Sequence, residues 1–161
     1  MPFPFTLDDL LAYTDRDRAE WLAWFRQHGP GALTVDLGAN NTGRIRNVGE
    51  LVRHIFSAEQ RYVQRCLQVP LMDTSVIPAD GVEALFEFGG QSRRALRELL
   101  ASFPDAEWDA PRVMSFGDQT WDVTSRQMIV QAVTHELRHW AQVATFLRQA
   151  GYQPGSHDFI R

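Results

Sequence analysis

The sequence predicts an all-α fold, a four-helix bundle formed by one domain over residues 1–161. Three observations predict it. Four runs of about 20 residues carry apolar side chains at three-and-four spacing. Each run begins with a capping signal and ends at a Gly, a Pro or a loop-like stretch. Strand alternation is confined to one hairpin, too small to form an independent sheet.

The first run opens at Thr6-Leu7-Asp8-Asp9, with Thr6 as N-cap and Asp9 near the positive end of the helix dipole. Leu7, Leu10, Leu11, Trp21, Trp24 and Phe25 form its apolar face, and Gly29-Pro30-Gly31 stops it. His28, just before that break, is read as a last-turn residue facing the dipole. A long connection follows to about residue 46, with a weakly alternating piece at Ala32–Leu37 and loop composition from Gly38 to Gly43.

Asn47-Val48-Gly49-Glu50 has the form of a capping box and starts the second run, which extends to about Val69 before Pro70. Leu51, Ile55, Ala58, Tyr62 and Cys66 face inward there, with His54 at the border of the stripe. Asp80-Gly81-Val82-Glu83 has the signal of a third cap. The third run, about Gly81–Ser102, turns Leu85, Phe88, Leu96, Leu99 and Leu100 inward and Arg93, Arg94, Arg97 and Glu98 outward. Gly89-Gly90 within it marks a kink or a close helix approach.

Arg112–Phe116 and Thr120–Val123, joined through Gly117-Asp118-Gln119, form the hairpin, which is expected to pack on the bundle. Thr124-Ser125-Arg126-Gln127 is the capping box of the last helix, which closes at Gly151.

Composition narrows the function. Net charge is −4 and the basic residues are scattered, against nucleic acid as the main partner. No apolar run approaches the roughly 20 residues of a membrane span. The N-terminal residues lack the pattern of a signal peptide, and Cys66 has no second cysteine to pair with. The expected location is the cytoplasm, with no membrane partner.

The chemistry concentrates in His135-Glu136-Leu137-Arg138-His139. Histidines four apart share a helix face and can converge on one divalent ion. The stretch matches the zinc-peptidase pattern H-E-x-x-H, in which the glutamate activates water. That pattern wants a third ligand, and the only later histidine, His157, lies in a polar tail. A peptidase also wants an edge strand for its substrate, and little here supplies one. Bundle metal sites are built from facing helices, which favours His54, the one histidine inside another helix. Glu136 projects about 100° round the helix from His135 and is read as a surface or metal-neighbouring group; Glu59 and Gln142 are better candidates for neighbours of the site, with a helix-packing hydrogen bond as the alternative for Gln142.

At these residues the chain resembles the DinB/YfiT-like superfamily. The resemblance is carried by His54 within Leu51–Glu59, by His135-x-x-x-His139-x-x-Gln142 and by Phe146–Gly151, in that order and spacing over nearly the whole chain. It implies a DinB-type bundle with a crossover between the second and third helices, and a homodimer. It implies that His54, His135 and His139 hold one divalent metal ion, nickel or zinc, with water completing the shell. Characterised relatives include thiol S-transferases and thiol-dependent isomerases, so the implied partner is a small-molecule substrate with a low-molecular-weight thiol. Transfer, isomerisation and hydrolysis stay open, as does a non-catalytic, stress-associated, metal-binding dimer. The sequence names no catalytic residue beyond the ligands, and Cys66, three turns from His54, is read as a packing residue.

Overall fold

The computed structural model describes residues 4–38, 45–116 and 118–160. Four helices dominate: α1 (Leu7–His28), α2 (Val48–Leu67), α3 (Val82–Ser102) and α4 (Ser125–Gln149). A two-stranded antiparallel sheet, β1 (Arg112–Phe116) and β2 (Gln119–Val123), precedes α4, with Met114 opposite Trp121.

Local chemistry sets the helix ends. Thr6 and Asp9 form a reciprocal capping box on α1, and Thr124 and Gln127 form one on α4. Asn47 accepts from the Glu50 N–H, but the Glu50 carboxylate takes the Arg46 N–H instead of closing the box. The expected cap on α3 is absent. Gly81 stands at N-cap without a side-chain bond, and Glu83 pairs with Arg26 of α1. His28 behaves as expected, its Nδ1 lying 2.8 Å from the Trp24 carbonyl one turn back. The loop reading of Gly38–Gly43 falls largely outside the described residues. The arms of that connection are joined by an isolated bridge between Asp36 and Asn47.

The helices run up, down, down, up. Cys66 near Ser125 and His54 near His135 make α2 and α4 antiparallel. Phe56 against Gly89 and Glu59 bonded to Ser92 make α2 and α3 parallel. Parallel neighbours need a crossover. The chain after α2 provides it by returning along the helix, with Thr74 bonded to Arg61, and the Ser75 and Ile77 carbonyls bonded to Arg53. It then passes Gly49 so closely that a Cβ there would lie 1.8 Å from the Ala79 carbonyl oxygen.

The core is divided. One cluster gathers Trp21, Phe25, Ile55, Phe56, Leu85 and Trp140, and another gathers Leu11, Val63, Leu96, Ile129 and Val133. Between them each helix contributes one charged residue: Arg18 from α1, Glu59 from α2, Arg93 from α3 and Glu136 from α4, at 8%, 1%, 5% and 1% exposure. Arg93 therefore points inward, contrary to the outward face expected of it. The hairpin packs on the second cluster through Met114 and Val123.

Of the two adjacent glycines, one answers to close approach. A Cβ on Gly89 would lie 2.8–2.9 Å from the Phe56 ring, whereas one on Gly90 meets nothing nearer than the flexible Arg94 tip at 3.5 Å. Gly90→Ala is expected to raise stability by about 0.5–1 kcal/mol through helix propensity. Gly89→Ala is expected to lower it by about 1–3 kcal/mol through overpacking. Urea unfolding of the two variants checks the opposite signs.

Candidate metal centre

His54 on α2 faces His135 and His139 on α4 across the antiparallel seam. The His135 Nε2 lies 3.0 Å from the Nε2 of His54 and 3.0 Å from the Nε2 of His139. All three rings are half-buried, and one ligand atom from each falls within 4.8 Å of the others, so the group could hold a metal ion. The expected convergence occurs, at the seam and not in the bundle centre, which the charged layer occupies.

Burial, the neighbouring His139 and the charge of Arg61 push the His54 pKa down to about 4. Burial and the two other histidines, with Arg138, take His135 to about 3. His139 is lowered by burial, opposed by its bond to Gln142. Neutral imidazole is the form that ligates a metal.

Proton placement tests the fit. The Gln142 Oε1, an acceptor, lies 2.5 Å from the His139 Nδ1, so that nitrogen carries the proton and the Nε2 is a bare lone pair. The His135 Nδ1 is buried without a partner. If it carries the proton, the His135 Nε2 points a second lone pair at the first. If the Nε2 carries it, a bare acceptor is left buried. A cation among the three nitrogens relieves the first arrangement. Imidazole nitrogens about 2.0–2.1 Å from one ion sit roughly 3.0–3.4 Å apart, as the His54–His135 and His135–His139 pairs do. The donor set fits, and three protein ligands leave coordination positions open, the mark of a catalytic-type site.

Glu136 takes no part in this face. Its Oε1 accepts from the Arg18 Nε at 2.6 Å and the Trp140 Nε1 at 3.2 Å, and its Oε2 accepts from Arg18 at 2.7 Å and Arg93 at 2.8 Å. The surface or metal-neighbouring place expected for it is thus replaced by a core one. With its carboxylate held by two guanidinium groups it cannot serve as a general base, which removes support for the peptidase reading. Glu59 belongs to the same layer, accepting from Arg18, Arg93 and Ser92. Burial alone would lower the Arg18 pKa, but Glu136 and Glu59 hold it above its ordinary value.

His157 is far from the triad in role. Its Nδ1 bonds the buried Asp17, and its ring stacks on Trp21 with centroids 4.3 Å apart. With Glu20 these two residues form a second group that could hold an ion, but the hydrogen bond already accounts for their closeness. The Cys66 thiol is buried and pushed up by that burial, as a packing residue should be.

A helical bundle whose facing helices bring three histidines together is a scaffold that could hold a metal ion. The chain matches the DinB family over residues 4–161 and belongs to it. Comparison with curated proteins finds no match.

Sequence reasoning missed the charged layer, although the signal was present: Arg18, Glu59, Arg93 and Glu136 interrupt the four apolar stripes at matching depth, and α1 buries Asp17 beside Arg18 as well. Glu136→Gln leaves an unbalanced buried cation and should cost about 3–5 kcal/mol. It should leave the histidine face unaltered. Chemical unfolding combined with divalent-ion titration checks both halves, and an unchanged stability would refute the structural role.

Proposed function

We propose that His54, His135 and His139 bind one divalent ion, nickel or zinc, and that the protein is a metal-dependent enzyme acting on a small molecule with a low-molecular-weight thiol as cosubstrate. The observation that supports the metal is the convergence of three imidazole nitrogens on a half-buried seam, with the His139 lone pair oriented by Gln142. The thiol rests on the resemblance to thiol-using relatives. A bound divalent cation supplies Lewis acidity that lowers the pKa of a coordinated water or thiol toward neutrality.

The chain's own residues do the rest. The three rings fix the position of the ion, and Gln142 sets the tautomer of His139. The reaction is transfer, isomerisation or hydrolysis, and no protein carboxylate is needed as base. The same reading places the protein in the reducing cytosol, supported by the lone buried Cys66. No helix among the described residues is long and apolar enough to cross a membrane. It extends to a homodimer, supported by the exposed Leu67 at the end of α2 and by Val69, Leu71 and Val76 after it; sedimentation analysis tests that.

Elemental analysis of the purified protein, followed by turnover assays over thiols and electrophiles, tests the function. Absence of a bound ion refutes it. A bound ion without turnover favours the non-catalytic alternative. His54→Ala, His135→Ala and His139→Ala should each abolish tight binding of the ion while circular dichroism shows a folded bundle, since caps and apolar faces form the helices without it.

Gln142→Ala should weaken ion binding by about 10–100-fold, because the group that orients His139 is lost. Gln142→Glu, which keeps the acceptor, should bind about as well as the unaltered protein. Competition against a chelating dye measures both.

A further inference from the structure

Beside the triad lies a groove of about 570 Å³ that the proposed chemistry does not yet use. Its lining is Tyr62 from α2, Met114, Trp121, Asp122 and Val123 from the hairpin, and Gln127, Met128 and Gln131 from α4, so its one charged group, Asp122, lies at the hairpin end. The volume is within the roughly 300–1,000 Å³ of small-molecule sites. Gln127, Gln131 and His135 follow one another at four-residue spacing along α4. His54, Ala58 and Tyr62 do the same along α2. Groove and triad therefore share one face of the α2–α4 pair, and Gln131 lies about 6 Å along the axis from His135.

The two ends differ in chemistry. At the hairpin end aromatic and thioether side chains predominate, and Trp121 is 45% exposed. Methionines adapt to ligands of varied shape. At the triad end Arg61 and Arg138 act on the rings as positive charges. The Arg61 guanidinium meets the Thr74 hydroxyl at 3.3 Å and acts on the neighbouring Asp73 without a direct ion pair among the described residues. With the proposed divalent cation on the three neutral imidazoles, and Arg61 and Arg138 acting on the same rings, that end would be positive.

We infer that this seam binds an organic anion with a flat apolar body, its anionic group at the histidine–arginine end and its body between Tyr62, Met114, Trp121 and Met128. The occupant follows from charge complementarity at one end and apolar lining at the other. The anionic end rests in part on the proposed metal site, and the apolar end does not.

The probes are 2-naphthoate, acetate and 2-naphthylmethanol, titrated calorimetrically into the full chain, with metal content measured on the same samples. Naphthoate should bind about tenfold or more tighter than either the bare anion or the neutral alcohol. Trp121→Ala should weaken naphthoate by about fivefold or more while leaving acetate unchanged. Gln131→Trp, which fills the groove from α4, should do the same if the hairpin variant misfolds. Arg61→Gln should erode the preference for naphthoate over the alcohol.

Equal binding of naphthoate and acetate, or naphthoate binding untouched by both groove variants, overturns the inference and leaves the metal reading intact. Self-association abolished by Trp121→Ala, without a naphthoate preference, assigns the groove to a second copy and overturns it too. If the samples hold no metal, the proposed function fails. The naphthoate preference then still decides the groove, with Arg61 as the remaining cation.

Discussion

The buried layer of Arg18, Glu59, Arg93 and Glu136 is the constraint on which the rest of the bundle depends. Each helix supplies one member, and the two guanidinium groups and two carboxylates bond across all four helices. Apolar side chains tolerate sliding and repacking, since their attraction is not directional. A layer of charge-assisted hydrogen bonds does not, because a helix displaced by one turn would bury an unpaired charge. The layer therefore acts on register more than on net stability: well-packed apolar replacements of such groups are often neutral, while loss of one partner is not.

That register matters for the site. His135 directly precedes Glu136 and His139 follows it by three, while His54 lies five residues before Glu59. Tying Glu59 and Glu136 to the same two arginines fixes the relative height of α2 and α4. It thereby brings His54 level with His135 and His139. Three neutral rings with converging nitrogens are not a favourable arrangement in the absence of a cation, and the His135 Nδ1 is left without a partner. Such a local conflict persists only where surrounding structure over-determines it. Here the layer and the aromatic cluster around Trp140 hold α4 on either side of the conflict. Rigid support for a small set of polar groups is what a functional site requires.

Much of this was legible from the residues. Helix number, the hairpin, the caps at Thr6 and Thr124 and the shared face of His135 and His139 follow from spacing and capping chemistry, and the joining of His54 to that pair was implied by the family resemblance. What was not legible has physical causes. Glu83 resembled part of a cap because an acid at N3 usually serves one, but Arg26 across the α1–α3 interface offers a stronger partner. Arg93 was read as outward because a lone charge is rarely buried, and a single helix cannot show that its partners lie on three others. The half-buried seam location of the triad, as opposed to the bundle centre, depends on the same hidden layer. Helix amphipathicity shows which stripe is apolar, but not that four interruptions of four stripes meet at one depth.

The same consideration explains why H-E-x-x-H carries different meaning here than in a peptidase. The pattern states only that two histidines share a helix face and that a carboxylate projects about 100° away. Its chemical sense depends on which of those two directions faces the interior. In this bundle the histidines face the seam between α2 and α4, and the carboxylate faces the core. Burial requires the carboxylate to be paired, and Arg18 and Arg93 pair it. Once paired it has no free lone pair with which to take a proton from water. Glu136 thus serves the fold, and the histidines on either side of it face the candidate site, from the same turn of one helix.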